Sequence, residues 1–173
     1  SVRAEGLAHY LVHPLEEGAS LHTPVVYLEP FRDRNLAAFG YDMFAEPVRR
    51  QAMLQAAESG QTHITGKVRL RQETHGATQA GILMYVPLYR PGKPIRSPRQ
   101  RLQALEGFVY SPYRMDDLMR GILGAADPNL SLRIYAGDEE QPERLIFASR
   151  DQPRADPAQY SQVARLDLYG QTW

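Results

Sequence analysis

The stretch GILMYVPL, residues 81–88, decides the fold class of this chain. It contains no charged side chain, and aliphatic and aromatic residues follow one another along almost its whole length. A short apolar run of this kind is typical of a strand that is covered on both faces. We therefore predict a buried central strand here, with the other elements arranged around it.

The segments around this strand predict further strands. Residues 62–71 alternate apolar and polar side chains as a half-buried strand does, and residues 73–76 supply the turn that follows. Near the start, residues 10–13 and 23–28 predict a β-hairpin across a turn-rich connection. The remaining predicted strands are residues 105–113, 130–136, 145–148 and 163–169.

Two helices are predicted from the signals at their ends. The first begins with Pro47 and ends before Gly60, and the second covers residues 115–123 and is closed by Gly124. In the first helix we expect an apolar stripe of Val48, Met53, Leu54, Ala56 and Ala57, with Arg49, Arg50, Gln51 and Gln55 in solvent. Together these elements predict an α+β fold, with a boundary between two units near residues 124–128.

The composition excludes several classes of partner. The 20 Lys and Arg residues balance the 20 Asp and Glu residues, so no global field attracts nucleic acid or an anionic membrane. Cysteine is absent, which excludes disulfides and thiolate metal sites. No apolar run reaches the roughly 18 to 20 residues that span a bilayer. Because the chain starts at Ser1 and ends at Trp173, we expect it to be a segment of a longer protein.

The residues that carry catalysis in known enzymes do not form a recognisable motif. The histidines His9 and His13 are four apart, but the segment between them favours an extended chain, which would not place both on one helix face. A Gly-x-Ser-x-Gly nucleophile motif and a phosphate-binding loop are both missing. We therefore expect no enzymatic activity, no cofactor and no metal site.

The basic segment 90–101 has two readings. It carries five basic residues, three prolines and no acid, so its arginines could contact phosphates or an anionic headgroup. It has no interleaved aromatic side chain for base stacking, which single-strand binders require. A solvated surface loop is the favoured interpretation, and we expect no nucleic-acid partner.

Asp42 is the carboxylate that the sequence most favours as a ligand-binding residue. It follows the apolar run of residues 36–41 and precedes the pair Met43 and Phe44, so we expect it at the edge of a core. An unpaired charge is costly there, and something must bond to it. One interpretation is a local cap or turn bond to the segment after it, and on the isolated residue this one is favoured. The other is a carboxylate that accepts hydrogen bonds from a ligand in an apolar pocket.

Several motifs in order and at matching spacing resemble the CHASE domain family. They are VVYLEP (25–30), Asn35, FGYDM (39–43), EPVRR (46–50), AAESG (56–60), ITGKVRL (64–70) and the strand that ends in VPLY (86–89). The match is most specific across residues 24 to 90. Later segments also look like the family: EGFVY (106–110), MDDL (115–118) and LYGQTW (168–173).

The resemblance implies an extracytoplasmic small-molecule sensor in the periplasm, part of an inner-membrane receptor whose output is a histidine kinase, diguanylate cyclase or adenylyl cyclase. The implied fold has two PAS-like subdomains with antiparallel sheets, membrane-distal (residues 1–124) and membrane-proximal (residues 125–173), after a truncated N-terminal stalk helix. The implied partners are a small-molecule ligand and a second copy of the chain, which pairs through the missing stalk helices.

The resemblance also implies a ligand site in the distal subdomain. Asp42 falls where plant members bond the adenine part of cytokinins, and Thr74 falls near a threonine that contacts the ligand. The other lining residues by this resemblance are Ile64, Met84, Val86 and Gly107. The bulky Tyr85 and the basic segment 90–101 depart from the plant pattern, so an adenine derivative is a hypothesis. The alternative is a structural or dimerisation module whose sheet core has no ligand pocket.

Overall fold

The chain folds as a mixture of helices and small antiparallel sheets, which confirms the α+β prediction. A computed structural model describes residues 10–14, 21–71, 79–124, 129–150 and 160–173. The α-helices are α1 (Pro47–Ser59), α2 (Pro98–Ala104) and α3 (Met115–Leu123), and the 3₁₀ helices are Asp33–Ala38, Met43–Ala45 and Pro142–Arg144. The strands are β1 (His63–Ile64), β2 (Gly81–Tyr89), β3 (Leu105–Arg114), β4 (Arg133–Tyr135), β5 (Leu145–Ala148), β6 (Asp167–Leu168) and β7 (Gln171–Thr172).

The main sheet is built around β2, which confirms the predicted central strand. The prediction that both of its faces are covered is wrong for its second half, because Val86 and Leu88 are exposed. The order of the sheet is β1-β2-β3, and both neighbours are antiparallel to β2. Tyr85 lies opposite Tyr110 and Met84 opposite Ser111, and this register continues until an irregularity after Leu88. Residues opposite each other share a face of the sheet and successive residues alternate, so Tyr85 and Met84 point to opposite faces.

Helix α1 covers the face of the sheet that carries Tyr85. Pro47 starts it, the Glu46 carboxylate accepts hydrogen bonds from the first turn, and Gly60 ends it at a positive φ of 74°, as the sequence predicted. Its buried residues Ala52, Met53 and Ala56 belong to a hydrophobic cluster that also contains Leu83 and Tyr85. Burial of these apolar side chains is what holds the helix on the sheet.

The predicted burial of the α1 side chains is wrong at three positions. Arg49, expected in solvent, is only 2% exposed, while Val48 and Leu54, expected in the core, are each 36% exposed. Arg49 is buried because Sδ of Met43 and the carbonyl oxygen of Arg69 accept hydrogen bonds from its guanidinium. A stripe drawn from hydrophobicity alone does not anticipate a buried cation with such partners.

A second hydrophobic cluster joins β2 to the C-terminal part of the chain. Its buried members are Ile82, Met115, Met119, Ile146 and Phe147. Helix α3, predicted at residues 115–123, and the strand predicted at residues 145–148 are both confirmed, and β5 pairs with β4. The division into subdomains 1–124 and 125–173 stays a prediction, and this cluster takes members from both ranges.

The predicted N-terminal hairpin is wrong. The segments around His13 and Pro24 form bridges with Tyr41 and Asp42 rather than with each other. The segment 40–43 therefore lies between them, and its backbone bonds to both. Gly40 permits this with a φ of 78°, because the carbonyl oxygen of Leu11 occupies the place where a side chain would begin. Local turn signals do not decide such long-range pairing.

Other predicted boundaries need smaller corrections. Of residues 62–71, His63–Ile64 form a strand and Val68 bridges to Gly81, with bends between them. The exposed segment 90–101 is not entirely a loop, because Ser97 and Gln100 form a capping box that starts α2. Of residues 163–169, only β6 is a strand, paired with the unpredicted β7, and β4 is shorter than predicted. The turn predicted at residues 73–76 lies outside the described residues.

Candidate functional site

Asp42 lies at the start of the 3₁₀ helix Met43–Ala45 and is 1% exposed. Its Oδ1 accepts hydrogen bonds from the backbone N–H groups of Thr23 at 2.8 Å and Phe44 at 3.1 Å. Its Oδ2 lies 2.6 Å from Nδ1 of His22. The bond from Phe44 is the local cap that the sequence favoured, whereas the bonds to His22 and Thr23 come from a segment far away in sequence.

These hydrogen bonds keep the Asp42 carboxylate ionised. Burial by itself raises the pKa of Asp42, but the bonds from Thr23, His22 and Phe44 outweigh it and hold this pKa below its ordinary value. A carboxylate has roughly four acceptor positions. Among the described residues, Oδ2 has His22 as its hydrogen-bond partner, so it retains capacity for one further donor.

Arg49 places a positive charge between α1 and the sheet. One of its terminal nitrogens donates to Sδ of Met43 at 3.2 Å, and the other donates to the carbonyl oxygen of Arg69 at 2.8 Å. The guanidinium lies 5.0 Å from the ring centre of Tyr41. Its Nε is buried without a hydrogen-bond partner in the described ranges, and Oε2 of Glu46 lies 3.8 Å from it.

Tyr85 and Tyr110 lie beside each other across β2 and β3, with ring centres 6.1 Å apart. Tyr85 is completely buried, and neither hydroxyl has a hydrogen-bond partner within the part of the chain that the structure describes. Burial raises the pKa of Tyr85 well above its ordinary value and that of Tyr110 to about 12, and the nearby charge of Arg49 opposes both shifts. Both phenols are therefore neutral at physiological pH.

We call the space between α1 and the Tyr85 face of the sheet the helix-side layer. Met43, Met53 and Tyr85 belong to the hydrophobic cluster that fills it, and Arg49 bonds to Met43. Asp42 lies at its border, because its partner Thr23 also contacts Sδ of Met53 on α1. An anion, a cation and two phenols thus share one apolar environment, where electrostatic interactions are stronger than in water.

Four other predicted site residues lie on the opposite face of the sheet. Ile64 is opposite Met84, Val86 is opposite Val109, and Gly107 is opposite Leu88. Because successive positions of a strand face opposite sides of the sheet, these four positions face away from Tyr85 and from the helix-side layer. Thr74 lies outside the described residues. The structure therefore brings Ile64, Met84, Val86 and Gly107 onto one face and places Asp42 on the other side, and a shared pocket for all of them stays a prediction.

An open groove of about 500 Å³ lies elsewhere, between the segment 67–69 and β5. Its polar lining consists of Lys67, Arg69, Gln79 and Asp116. In the described ranges, no three His, Asp or Glu side chains are close enough together to hold a metal ion. No helix in those ranges is both long and apolar enough to cross a membrane.

The comparison with known families decides what kind of domain this is. The family model described as "CHASE domain" matches residues 1–147 of the 173. The chain belongs to the CHASE domain family. CHASE domains are extracellular sensory input domains of receptors, and the family is not catalytic. No curated protein sequence matches the chain.

Sequence reasoning missed Arg49, Tyr85 and Tyr110 as candidate functional residues of this CHASE domain. Tyr85 was noticed only as a bulky departure from the plant pattern, and Arg49 was placed in solvent. Strand alternation could have shown that Tyr85 and Met84 face opposite sides. The burial of Arg49 has no local signal, because its partner Arg69 is distant in sequence.

Proposed function

We propose that this CHASE domain senses a small molecule for a membrane-anchored receptor, and that the ligand binds in the helix-side layer. One observation carries this proposal: Nε of Arg49 and the hydroxyls of Tyr85 and Tyr110 are buried without partners in the described ranges. Buried polar atoms are normally paired, because each unpaired one destabilises a fold. A ligand that supplies the missing partners would explain why these three atoms are retained in a natural core.

The wider setting is part of the same proposal. The domain lies in the periplasm, within an inner-membrane receptor whose output is a histidine kinase, diguanylate cyclase or adenylyl cyclase, and it pairs with a second copy through stalk helices. Family membership supports this setting. A ligand changes the output of such a receptor only to the extent that it binds one conformation better than the other. A site beneath α1 suits this requirement, because a ligand there contacts both the helix and the sheet.

We further propose an adenine derivative as the ligand that Asp42 recognises. The support is the free capacity of Oδ2, which can accept one hydrogen bond from a ring or amino N–H group. Oδ1 is already occupied by Thr23 and Phe44 and acts as a cap. The two oxygens of one carboxylate would then have different tasks, and this difference can be tested.

The experiment uses Asp42→Asn, with Asp42→Ala as its matched control. Asn retains an oxygen for the N–H groups of Thr23 and Phe44 but turns the Oδ2 position into a donor. A ligand present at 100 times its dissociation constant raises stability by about 2.7 kcal/mol, which a thermal-shift assay detects. We expect adenine derivatives to raise the Tm of the natural domain and not that of Asp42→Asn, whose own Tm falls less than that of Asp42→Ala.

The control separates recognition from folding. Asp42→Ala removes the cap as well, and we expect it to lower the free energy of unfolding by about 2 kcal/mol. If Asp42→Asn loses as much stability as Asp42→Ala and still binds adenine derivatives normally, Asp42 is a structural cap and the ligand assignment fails.

The alternative function is a structural or dimerisation module without a pocket. The observation in its favour is that Ala56 of α1 and Tyr85 of β2 are both fully buried in one hydrophobic cluster. A complete absence of Tm shifts across a broad metabolite panel would favour this alternative.

A further inference from the structure

The unpaired groups of the helix-side layer have a common chemical character. A guanidinium carries five N–H donors and no acceptor. The structure supplies Arg49 with a thioether sulfur, which is a weak acceptor, and one carbonyl oxygen. The Tyr85 and Tyr110 hydroxyls next to it are neutral, and beside a cation each is best used as a donor. Arg49, Tyr85 and Tyr110 therefore offer donors and positive charge, and the described residues leave Nε of Arg49 and both hydroxyls without partners.

The neighbouring carboxylate does not supply the acceptors that the Arg49 guanidinium lacks. Glu46 is its carboxylate neighbour among the described residues, 3.8 Å from Nε, which is too long for a hydrogen bond. Both Glu46 oxygens already accept backbone N–H groups, from Val48 at 3.1 Å and from Arg49 at 3.0 Å. Glu46 is thus committed to capping α1 and only partly neutralises the guanidinium.

We propose that Arg49, Tyr85 and Tyr110 bind the carboxylate of a small organic anion within the helix-side layer. A carboxylate has roughly four acceptor positions and matches the planar guanidinium through two parallel hydrogen bonds. Two phenol donors can fill the remaining positions. This inference deepens the proposed function and rests on it, because it names the chemical class of ligand that a sensor with this interior takes.

The packing around the three groups suits an occupant that is small at its charged end. The cluster that contains Tyr85 includes Ala52 and Ala56, so α1 contributes short side chains to it. A planar carboxylate is compact, whereas a phosphate is bulkier and carries more charge than one arginine neutralises. The single charge of a carboxylate therefore matches Arg49 better than a phosphate does.

The probes are acetate, propionate and benzoate, each paired with its neutral amide: acetamide, propionamide and benzamide. We expect at least one carboxylate to raise the Tm of the domain while its amide does not. Binding constants of that carboxylate are then measured by calorimetry. The variants are Arg49→Met, Tyr85→Phe and Tyr110→Phe. The controls are Arg50→Met on the same helix and Tyr113→Phe on the opposite face of the sheet.

We expect Arg49→Met to weaken carboxylate binding about 100-fold or more and each site Tyr→Phe variant about tenfold or more, with both controls unchanged. The Tm of the ligand-free Tyr85→Phe protein distinguishes a binding role of this hydroxyl from a purely structural one. Removal of a buried hydroxyl without a partner leaves Tm unchanged or raises it, so this variant is folded and yet binds poorly.

Three outcomes overturn the inference. They are the absence of any carboxylate-specific Tm shift, equal loss of binding in the Arg50 and Arg49 variants, and a fall in the Tm of free Tyr85→Phe. The proposed function fails separately. If adenine derivatives bind and carboxylates do not, sensing stands and this inference falls. If carboxylates bind and adenine derivatives do not, the inference stands and the adenine assignment falls.

Discussion

The two faces of the main sheet have opposite properties. The Tyr85 face is covered by α1 and buries polar groups together with apolar ones, so that Arg49 is almost inaccessible. The Met84 face is covered at one end by α3 and β5, while Val86, Leu88 and Val109 are 39%, 45% and 56% exposed. An exposed apolar side chain lowers the stability of a fold only a little. A buried polar atom without a hydrogen-bond partner lowers it by more. The Tyr85 face, whose unpaired atoms include a nitrogen of a buried charged group, is therefore the better candidate for function.

The largest expected effect comes from a matched pair of substitutions on β2. Leu83 belongs to the hydrophobic cluster of the helix-side layer and is 1% exposed, whereas Leu88 is on the Met84 face. We expect Leu83→Ala to lower the free energy of unfolding by about 2 to 5 kcal/mol and Leu88→Ala to lower it by less than about 1 kcal/mol. Urea denaturation monitored by circular dichroism measures both. Equal losses would show that the two faces are equally buried and would remove the basis of the comparison.

A smaller effect concerns the ionised carboxylate at the border of the layer. The pKa of Asp42 is lower in the folded chain than its ordinary value of 3.8, so the unfolded chain binds more protons as the pH falls through this range. The stability that ionised Asp42 contributes is present above the unfolded pKa and is lost as the pH falls through the folded one. Asp42→Asn lacks this dependence.

We therefore expect the stability difference between the natural domain and Asp42→Asn to be constant near neutral pH. Below pH 3.8 it should change, as the natural protein loses its extra stability. Urea denaturation of both proteins across this pH range measures the difference. A difference that does not vary with pH would mean that His22, Thr23 and Phe44 do not hold the carboxylate ionised.

The elements that the sequence predicted well are those with local signals. These signals each span only a few neighbouring residues, and the elements that they predict are confirmed. They are the apolar run at residues 81–88, the Pro47 start and Gly60 stop of α1, and the Gly124 stop of α3. The pairing of the segment 40–43 with His13 and Pro24 depends on contacts far apart in sequence, and that prediction was wrong.

The candidate site was predictable only in part for the same reason. The cap from Asp42 to Phe44 is local and was anticipated, but the bonds from His22 and Thr23 were not. The unpaired atoms of Arg49 and Tyr85 become visible only after α1 is packed on the sheet, because burial is a tertiary property.

The methionines provide the most direct test of which face of the sheet binds the ligand. The chain has five, and they sample three places: Met43 and Met53 lie in the helix-side layer, Met84 on the opposite face, and Met115 and Met119 in the second cluster. Methyl NMR of protein labelled with ¹³C at the methionine methyls is recorded with and without the ligand that gives the largest Tm shift. We predict that the Met43 and Met53 signals shift and the Met84 signal does not. A shift confined to Met84 would contradict a helix-side site and favour the pocket of Ile64, Met84, Val86 and Gly107.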